Sequence, residues 1–214
     1  MFDLTISLDV TGRRCVVVGG GPEADARVEA LLHAGAEVVV ITPTPSPAIE
    51  AAAADGRVSL ERRGWRGGDL AGAFVAYNTR EDDTPVAQIW AESREQHVLL
   101  STLDDKPRCD FATPAIVRRG DLAVTIATAG RAPALAKRLR QHLEAELGEE
   151  YATLVDVLDE ARAQVLPREV PFAEWAAKWS QALADLDGLA RLVADGHVEE
   201  ARDKVVAAVG KGGR

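Results

Sequence analysis

The chain has 214 residues, 47% of them hydrophobic and 28% charged, which is the composition of a folded protein of one large or two small domains. Its formal net charge of -9 argues against general nucleic-acid binding, and no apolar run approaches the roughly 18 residues that a membrane-spanning helix needs. The N-terminal stretch MFDLTISLDVTGRR lacks the basic and apolar segments of a signal peptide, so a cytoplasmic protein with no nucleic-acid and no membrane partner is expected.

In chain order, Arg14 to Gly19 predicts a buried strand, and Pro22 to Ala34 a helix. Pro22 suits the first helical turn, Ala24, Val28, Leu31 and Leu32 fall on one face, and Gly35 supplies the stop. Glu37 to Thr42 is a second buried strand, followed by the turn-rich Pro43 to Pro47 and a short helix from Ala48 to Asp55. Val58 to Glu61 and Ala73 to Tyr77 read as the third and fourth strands, Asp82 to Gln96 as a helix, and His97 to Leu103 as the fifth strand. Strands alternating with helices predict βαβ units and a parallel sheet.

After Pro107 the pattern changes. Leu122 to Ala127 reads as a strand and Ala132 to Leu147 as a helix with Leu135, Leu139, Leu143 and Leu147 at intervals of four. From Tyr151 the chain reads as helical. Leu154, Val157, Leu158 and Ala161 mark one helix; Phe172, Trp175 and Trp179 mark another, with Pro171 in its first turn; Val198, Ala201, Val205 and Val209 mark the last, and Lys211 to Arg214 form a frayed tail. The expected organisation is a Rossmann-type α/β domain over 1–113, a small α/β segment over 114–149 and a helical domain over 150–214.

The stretch Gly19-Gly20-Gly21-Pro22-Glu23-Ala24 fits G-x-G-x-x-G/A between a predicted strand and a predicted helix, the context in which that motif binds a dinucleotide. Gly19 would allow the tight turn, Gly21 the approach of a pyrophosphate to the backbone, and Ala24 close packing of helix on strand. The acidic residue usual at the end of the second strand is missing; Thr42, Pro43 and Thr44 stand there, with no arginine to pair a 2′-phosphate, which favours NAD. Asn78 and Thr79 follow the fourth strand at the carboxyl edge, where such sheets bind ligands.

Asp104 and Asp105 follow the fifth strand at the same edge. Adjacent residues of an extended backbone cannot both face one point, so one is expected to serve as a base and the other to be solvated or capping. Thr128, Gly130 and Arg131 lead into the predicted helix at Ala132 and form a second candidate anion site. Arg118, Arg119, Arg131, Lys137, Arg138 and Arg140 are a local basic cluster in an acidic chain, suited to a small polyanion. Cys15, Cys109 and the four histidines show no zinc-site spacing, and no metal ligand is assigned.

These residues resemble the precorrin-2 dehydrogenase family of sirohaem synthesis, which includes stand-alone dehydrogenases, bifunctional dehydrogenase–ferrochelatases and the N-terminal half of sirohaem synthase. The resemblance covers nearly the first 150 residues and rests on VVVGGG with Ala24, LLHAGAEVVVITP, Asp104-Asp105 with Cys109-Asp110-Phe111, and RRGDLAVTIATAGRAPALAKRLRQHLE. It implies an NAD-dependent oxidation of precorrin-2 to sirohydrochlorin with Asp104 as proton acceptor, a homodimer formed through the central segment, and a second activity, Fe²⁺ insertion, in bifunctional members. A polycarboxylate tetrapyrrole suits the basic cluster. Rival readings are a non-catalytic NAD-binding regulator and a tetrapyrrole chelatase or carrier without dehydrogenase activity. The chain departs from the family pattern at Ala26-Arg27, where Arg-Lys is usual, at Ser101, where Asn is usual, at Pro107, which is displaced behind Lys106, and over Asn78 to Gln88.

Overall fold

The computed structural model describes residues 4–80, 85–165 and 172–210. Met1 to Asp3, Asp82 to Thr84 at the start of the expected third helix, Pro171 and the tail Lys211 to Arg214 lie outside the described residues. The chain divides into two compact units, Met1–Thr113 and Pro114–Arg214.

The first unit is a five-stranded parallel sheet built from β1 (Arg14–Val18), β2 (Glu37–Ile41), β3 (Val58–Glu61), β4 (Val75–Asn78) and β5 (Leu99–Thr102), in the order β3-β2-β1-β4-β5. Helices α1 (Pro22–His33), α2 (Pro47–Ala54) and α3 (Val86–Glu95) complete it. The order reverses between β1 and β4, the switch point of a Rossmann-type sheet.

Alternation along the strands explains why both sheet faces are buried. Cys15, Val17, Val38, Val40 and Val75 point to one face and meet Ala24, Val28 and Leu31 of α1 and Ile49 and Ala52 of α2. Val16, Val18, Ile41, Ala76 and Leu100 point to the other and meet Ile89 of α3 with Leu70 and Ala73. Each such Val, Leu or Ile stabilises the fold by about 1.5–3 kcal/mol on full burial. Cys15 is a core residue, and desolvation pushes its thiol pKa up.

The connection from β3 to β4 has no helix and is tied down by carboxylates. Glu92 of α3, itself buried, accepts the N–H groups of Gly68 (3.0 Å) and Leu70 (2.8 Å). Asp69 accepts both terminal nitrogens of Arg63 at 2.8 Å and the Arg66 N–H at 2.7 Å.

α1 stops at Gly35 as expected, and the same device sets the one boundary that differs from the sequence reading. α1 ends in a Schellman motif through Gly35 (φ +72), whose N–H donates to the Leu32 carbonyl while Ala36 donates to Leu31. α3 ends in the same way through His97 (φ +55), with Val98 N–H on the Ser93 carbonyl. His97 therefore closes a helix rather than opening a strand, and β5 starts at Leu99.

In the second unit, β6 (Ala115–Arg119) and β7 (Leu122–Ile126) form an antiparallel hairpin, followed by α4 (Pro133–Glu146), α5 (Glu150–Gln164), α6 (Phe172–Ala182), α7 (Leu186–Ala194) and α8 (Val198–Gly210). Neither β6 nor α7 was expected as a separate element. Arg119 pairs with Leu122, leaving a two-residue turn, Gly120-Asp121, with Gly120 at φ +54 as the first position of a type II′ turn prefers. Arg119 also caps α4, donating to the carbonyls of Leu147 (2.7 Å) and Glu144 (2.8 Å). Leu154, Val157 and Ala161 of α5, Leu189 and Val193 of α7 and Ala201, Val205 and Val209 of α8 make the helical core. No described helix is long and apolar enough to cross a membrane.

Candidate active site

The Gly-rich loop joins β1 to α1 at the carboxyl edge of the sheet. Gly19 takes φ +132, a conformation side chains other than glycine rarely adopt, and its N–H donates to the Ile41 carbonyl at 3.0 Å. Gly21 is the N-cap of α1 and, being glycine, gives the helix no side-chain cap. The first N–H groups of α1 are thus left for a ligand at the end where the helix dipole favours negative charge. Of the two acidic residues in that turn, Glu23 pairs with Arg27 at 3.3 Å and Asp25 accepts the Ser46 hydroxyl at 2.5 Å. Pro22 is the first helical residue, and Ala24 is wholly buried between helix and sheet.

Within the loop, Gly20 packs closely on the end of β2. A β-carbon there would lie 2.4 Å from the Thr44 carbonyl oxygen and 2.6 Å from the Thr42 hydroxyl. Thr42 is buried, and its hydroxyl accepts the Thr44 N–H at 3.1 Å, so it forms the wall of the loop; Pro43 is exposed.

Beside the loop, β4 and β5 end in line, with Val18, Asn78 and Thr102 as register partners. Asn78 is the last residue of β4 rather than the first after it, and it is buried. Thr79 sends both its N–H (2.9 Å) and its hydroxyl (3.1 Å) to the Val18 carbonyl, which locks it across to β1. A small cleft at this edge is lined by Glu23, Arg27, Tyr77, Asn78, Thr79, Ser101 and Leu103.

Asp104 and Asp105 diverge, and the geometry separates them. Asp105 is paired with Arg108 at 2.8 Å within a 3-10 turn, Lys106–Arg108, and its side chain is 14% exposed. Asp104 is exposed and sits at φ +53, in the left-handed region that a non-glycine residue seldom takes. The Cys109-Asp110-Phe111 triplet explains how the turn is held. The Cys109 thiol donates to the Thr102 carbonyl (3.1 Å) and receives the Thr102 N–H (3.1 Å). Asp110 accepts the Leu100 N–H at 2.8 Å and forms a two-point contact with Arg94, covering the open edge of β5. Phe111 meets Tyr77 edge to face, ring centres 5.3 Å apart.

Gly19 to Ala24, Thr42, Pro43, Asn78, Thr79 and Asp104 therefore share one edge of the first unit. Thr128, Gly130 and Arg131 belong to the second, in the loop between β7 and α4. The Thr128 hydroxyl accepts the Ala132 N–H at 3.3 Å, Ala129 and Gly130 take φ +52 and +72, and Arg131 is exposed. Among the described residues no group of three His, Cys, Asp or Glu side chains is placed to hold a metal ion. Sequence reasoning missed the parts played by Gly20, Arg80 and the Cys-Asp-Phe triplet. Only the triplet left a signal, an apolar residue next to a polar pair just past a strand.

Residues 6–115 match the family described as "Putative NAD(P)-binding", and residues 119–146 match "Sirohaem biosynthesis protein central". The chain is 32% identical over 199 residues to siroheme synthase 1 of Serratia proteamaculans, covering 93% of this chain and 41% of that protein. It is 30% identical over 204 residues to the siroheme synthase of Photobacterium profundum, covering 95% and 43%. The chain thus spans about two fifths of the length of these curated relatives. Among solved structures it is similar to SirC, precorrin-2 dehydrogenase, with a TM-score of 0.70 and 25% identity, covering 92% of this chain and 100% of that one.

Proposed function

Because the chain belongs to the precorrin-2 dehydrogenase family of NAD(P)-binding sirohaem-synthesis proteins, we propose that it oxidises precorrin-2 to sirohydrochlorin with NAD as hydride acceptor. The observation that carries this reading is the exposed Asp104 beyond β5, on the same sheet edge as the uncapped N-terminus of α1.

The residues present fit a dinucleotide. Gly20 lets the loop pack directly on Thr42 and Thr44, and the start of α1, which has no side-chain cap, suits a pyrophosphate. In this reading Gly19 to Ala24 hold the phosphates, Thr42 and Pro43 border the adenosine ribose, and Asn78 and Thr79 border the nicotinamide half. NAD is favoured over NADP because the stretch Thr42 to Pro45 carries no cation for a 2′-phosphate. When bound, the cofactor supplies the hydride acceptor; Asp104 takes the proton that leaves with that hydride, so two electrons and two hydrogens depart the tetrapyrrole together. Asp105, already paired with Arg108, is left to hold the turn.

Thr128, Gly130 and Arg131 are assigned to the substrate's carboxylates, since an exposed guanidinium at a helix start attracts anions. The central segment 114–149 is read as the dimerisation element. A two-stranded hairpin is marginal by itself, and Leu135 and Leu139 of α4 are 53% and 40% exposed. Fe²⁺ enters only as a second substrate, for an accompanying chelatase step. The free cysteines Cys15 and Cys109 fit a reducing, cytoplasmic setting.

The test is incubation with precorrin-2, with and without NAD, NADP and Fe²⁺, followed by absorbance. Sirohydrochlorin should form with NAD in the wild-type protein and not in Asp104→Ala. Normal turnover by that variant would remove Asp104 from the mechanism, and no turnover by the wild type would remove the activity.

A further inference from the structure

Asn78, Arg80 and Asp104 make a line of contacts across the ends of two neighbouring strands. The Asn78 side-chain oxygen accepts the Arg80 N–H at 3.0 Å, closing a turn of the kind that Asn favours. Arg80 is held there at φ +52, in the left-handed region. From that position its Nη1 reaches the carbonyl oxygens of Asp104 (3.3 Å) and Leu103 (3.5 Å). Asp104 takes φ +53, so two non-glycine residues in the same sparsely populated conformation stand just beyond adjacent parallel strands. The β4–β5 pairing does not itself demand this. Its register ends at Asn78 and Thr102, and one more bond, Leu103 N–H to the Asn78 carbonyl at 2.9 Å, closes it. Unusual conformations persist where neighbouring contacts over-determine them, and here those contacts converge on the peptide that carries the candidate base.

We propose that Arg80 is a positioning residue for Asp104: its guanidinium fixes the Leu103 and Asp104 carbonyls, and so sets where the Asp104 carboxylate is presented at the sheet edge. This rests on the reading of Asp104 as the base. Arg80 acts through Asp104 and is not given a contact with the reacting atoms. Both hydrogen bonds leave one nitrogen, so the contact is that of a point donor and does not use the planar fork that distinguishes arginine. A lysine ammonium can reproduce it.

The experiment compares wild type, Arg80→Ala, Arg80→Lys and Asp104→Ala in steady-state oxidation of precorrin-2, with NAD affinity by calorimetry and Tm for each. Arg80→Ala is expected to lower kcat about tenfold, roughly one charged hydrogen bond's worth of positioning, while the NAD dissociation constant and Tm stay at wild-type values. Arg80→Lys should recover most of the loss. Wild-type kcat in Arg80→Ala, a loss that Arg80→Lys does not recover, or a loss that comes with weakened NAD binding or a lowered Tm overturns the proposal. Unimpaired turnover by Asp104→Ala would instead sink the base assignment, whatever the Arg80 variants do.

Discussion

Gly20 and Thr42 stand so close that a β-carbon on the glycine would lie 2.6 Å from the threonine hydroxyl and 2.9 Å from its methyl group. The Thr44 carbonyl, at 2.4 Å, is backbone and cannot rotate away. Gly20→Ala must therefore separate the Gly-rich loop from the end of β2. The expected cost is roughly 1–3 kcal/mol, the range for overpacking, together with weaker NAD binding. Thermal melting and calorimetry check both, and an unchanged Tm would show that the loop yields freely.

Asp110 performs the work of a missing strand. It accepts the Leu100 N–H at 2.8 Å, donates its own N–H to the Leu100 carbonyl at 2.7 Å, and holds Arg94. β5 is an edge of the sheet, so Asp110→Ala leaves part of an edge strand uncovered. We expect a loss of about 1.5–3 kcal/mol, the worth of a charged hydrogen bond, with a rise in concentration-dependent aggregation. Denaturant melts and light scattering read the two effects, and a variant as stable and soluble as wild type would contradict the assignment.

On α4 only Ala136 is buried, whereas Leu135 and Leu139 are exposed. If this face meets a second copy, Leu135→Lys with Leu139→Lys should convert a dimer into a monomer in sedimentation velocity. A wild-type monomer, or a variant that remains dimeric, would rule the face out.

Asp69 gives a pH-dependent contribution of definite sign. Burial works to raise its carboxyl pKa. The hydrogen bonds from Arg63 and the Arg66 N–H, with the charges of Arg63 and Arg14, outweigh that, and the net shift is downward from 3.8. A carboxyl depressed in the folded state adds stability above its unfolded pKa of about 3.9 and loses it as pH falls through the folded value. Asp69→Asn should therefore be less stable than wild type at neutral pH, with the gap closing on acidification below about pH 4. A gap that stays constant across an acid titration followed by denaturant melts would show that the carboxylate's charge is not what stabilises the loop.

The sheet and its core were legible because their signals are local. β-branched runs such as Val16-Val17-Val18 and Val38-Val39-Val40 leave little choice but a buried strand, and the Ala24, Val28, Leu31 stripe shows which face of α1 turns inward. β6 was lost because Ile116 and Val117 run into two arginines, and only Val117 is buried; the Gly120-Asp121 turn was its one clear mark. α7 was not separated from its neighbours because the chain from Tyr151 reads as helical; its start is marked by Asp185, which accepts the Gly188 N–H at 3.1 Å. At the candidate site, residue type indicated Asp104 but not its backbone. Positive φ at Arg80 and Asp104 follows from contacts between segments, and no local propensity of arginine encodes it.

The strand order has a consequence for synthesis. β1 meets β2 across one helix, but its other neighbour is β4, with Cys15 opposite Val75, so the central strand stays open on one side until β2, α2, β3 and a long loop have left the ribosome. In the second unit the β6–β7 hairpin closes across a two-residue turn, while α5 packs on α7 and α8 across the intervening helices. The first unit, made before the second, thus carries this long-range strand pairing. During that interval the exposed flank of β1 is the surface a nascent-chain chaperone would need to shield.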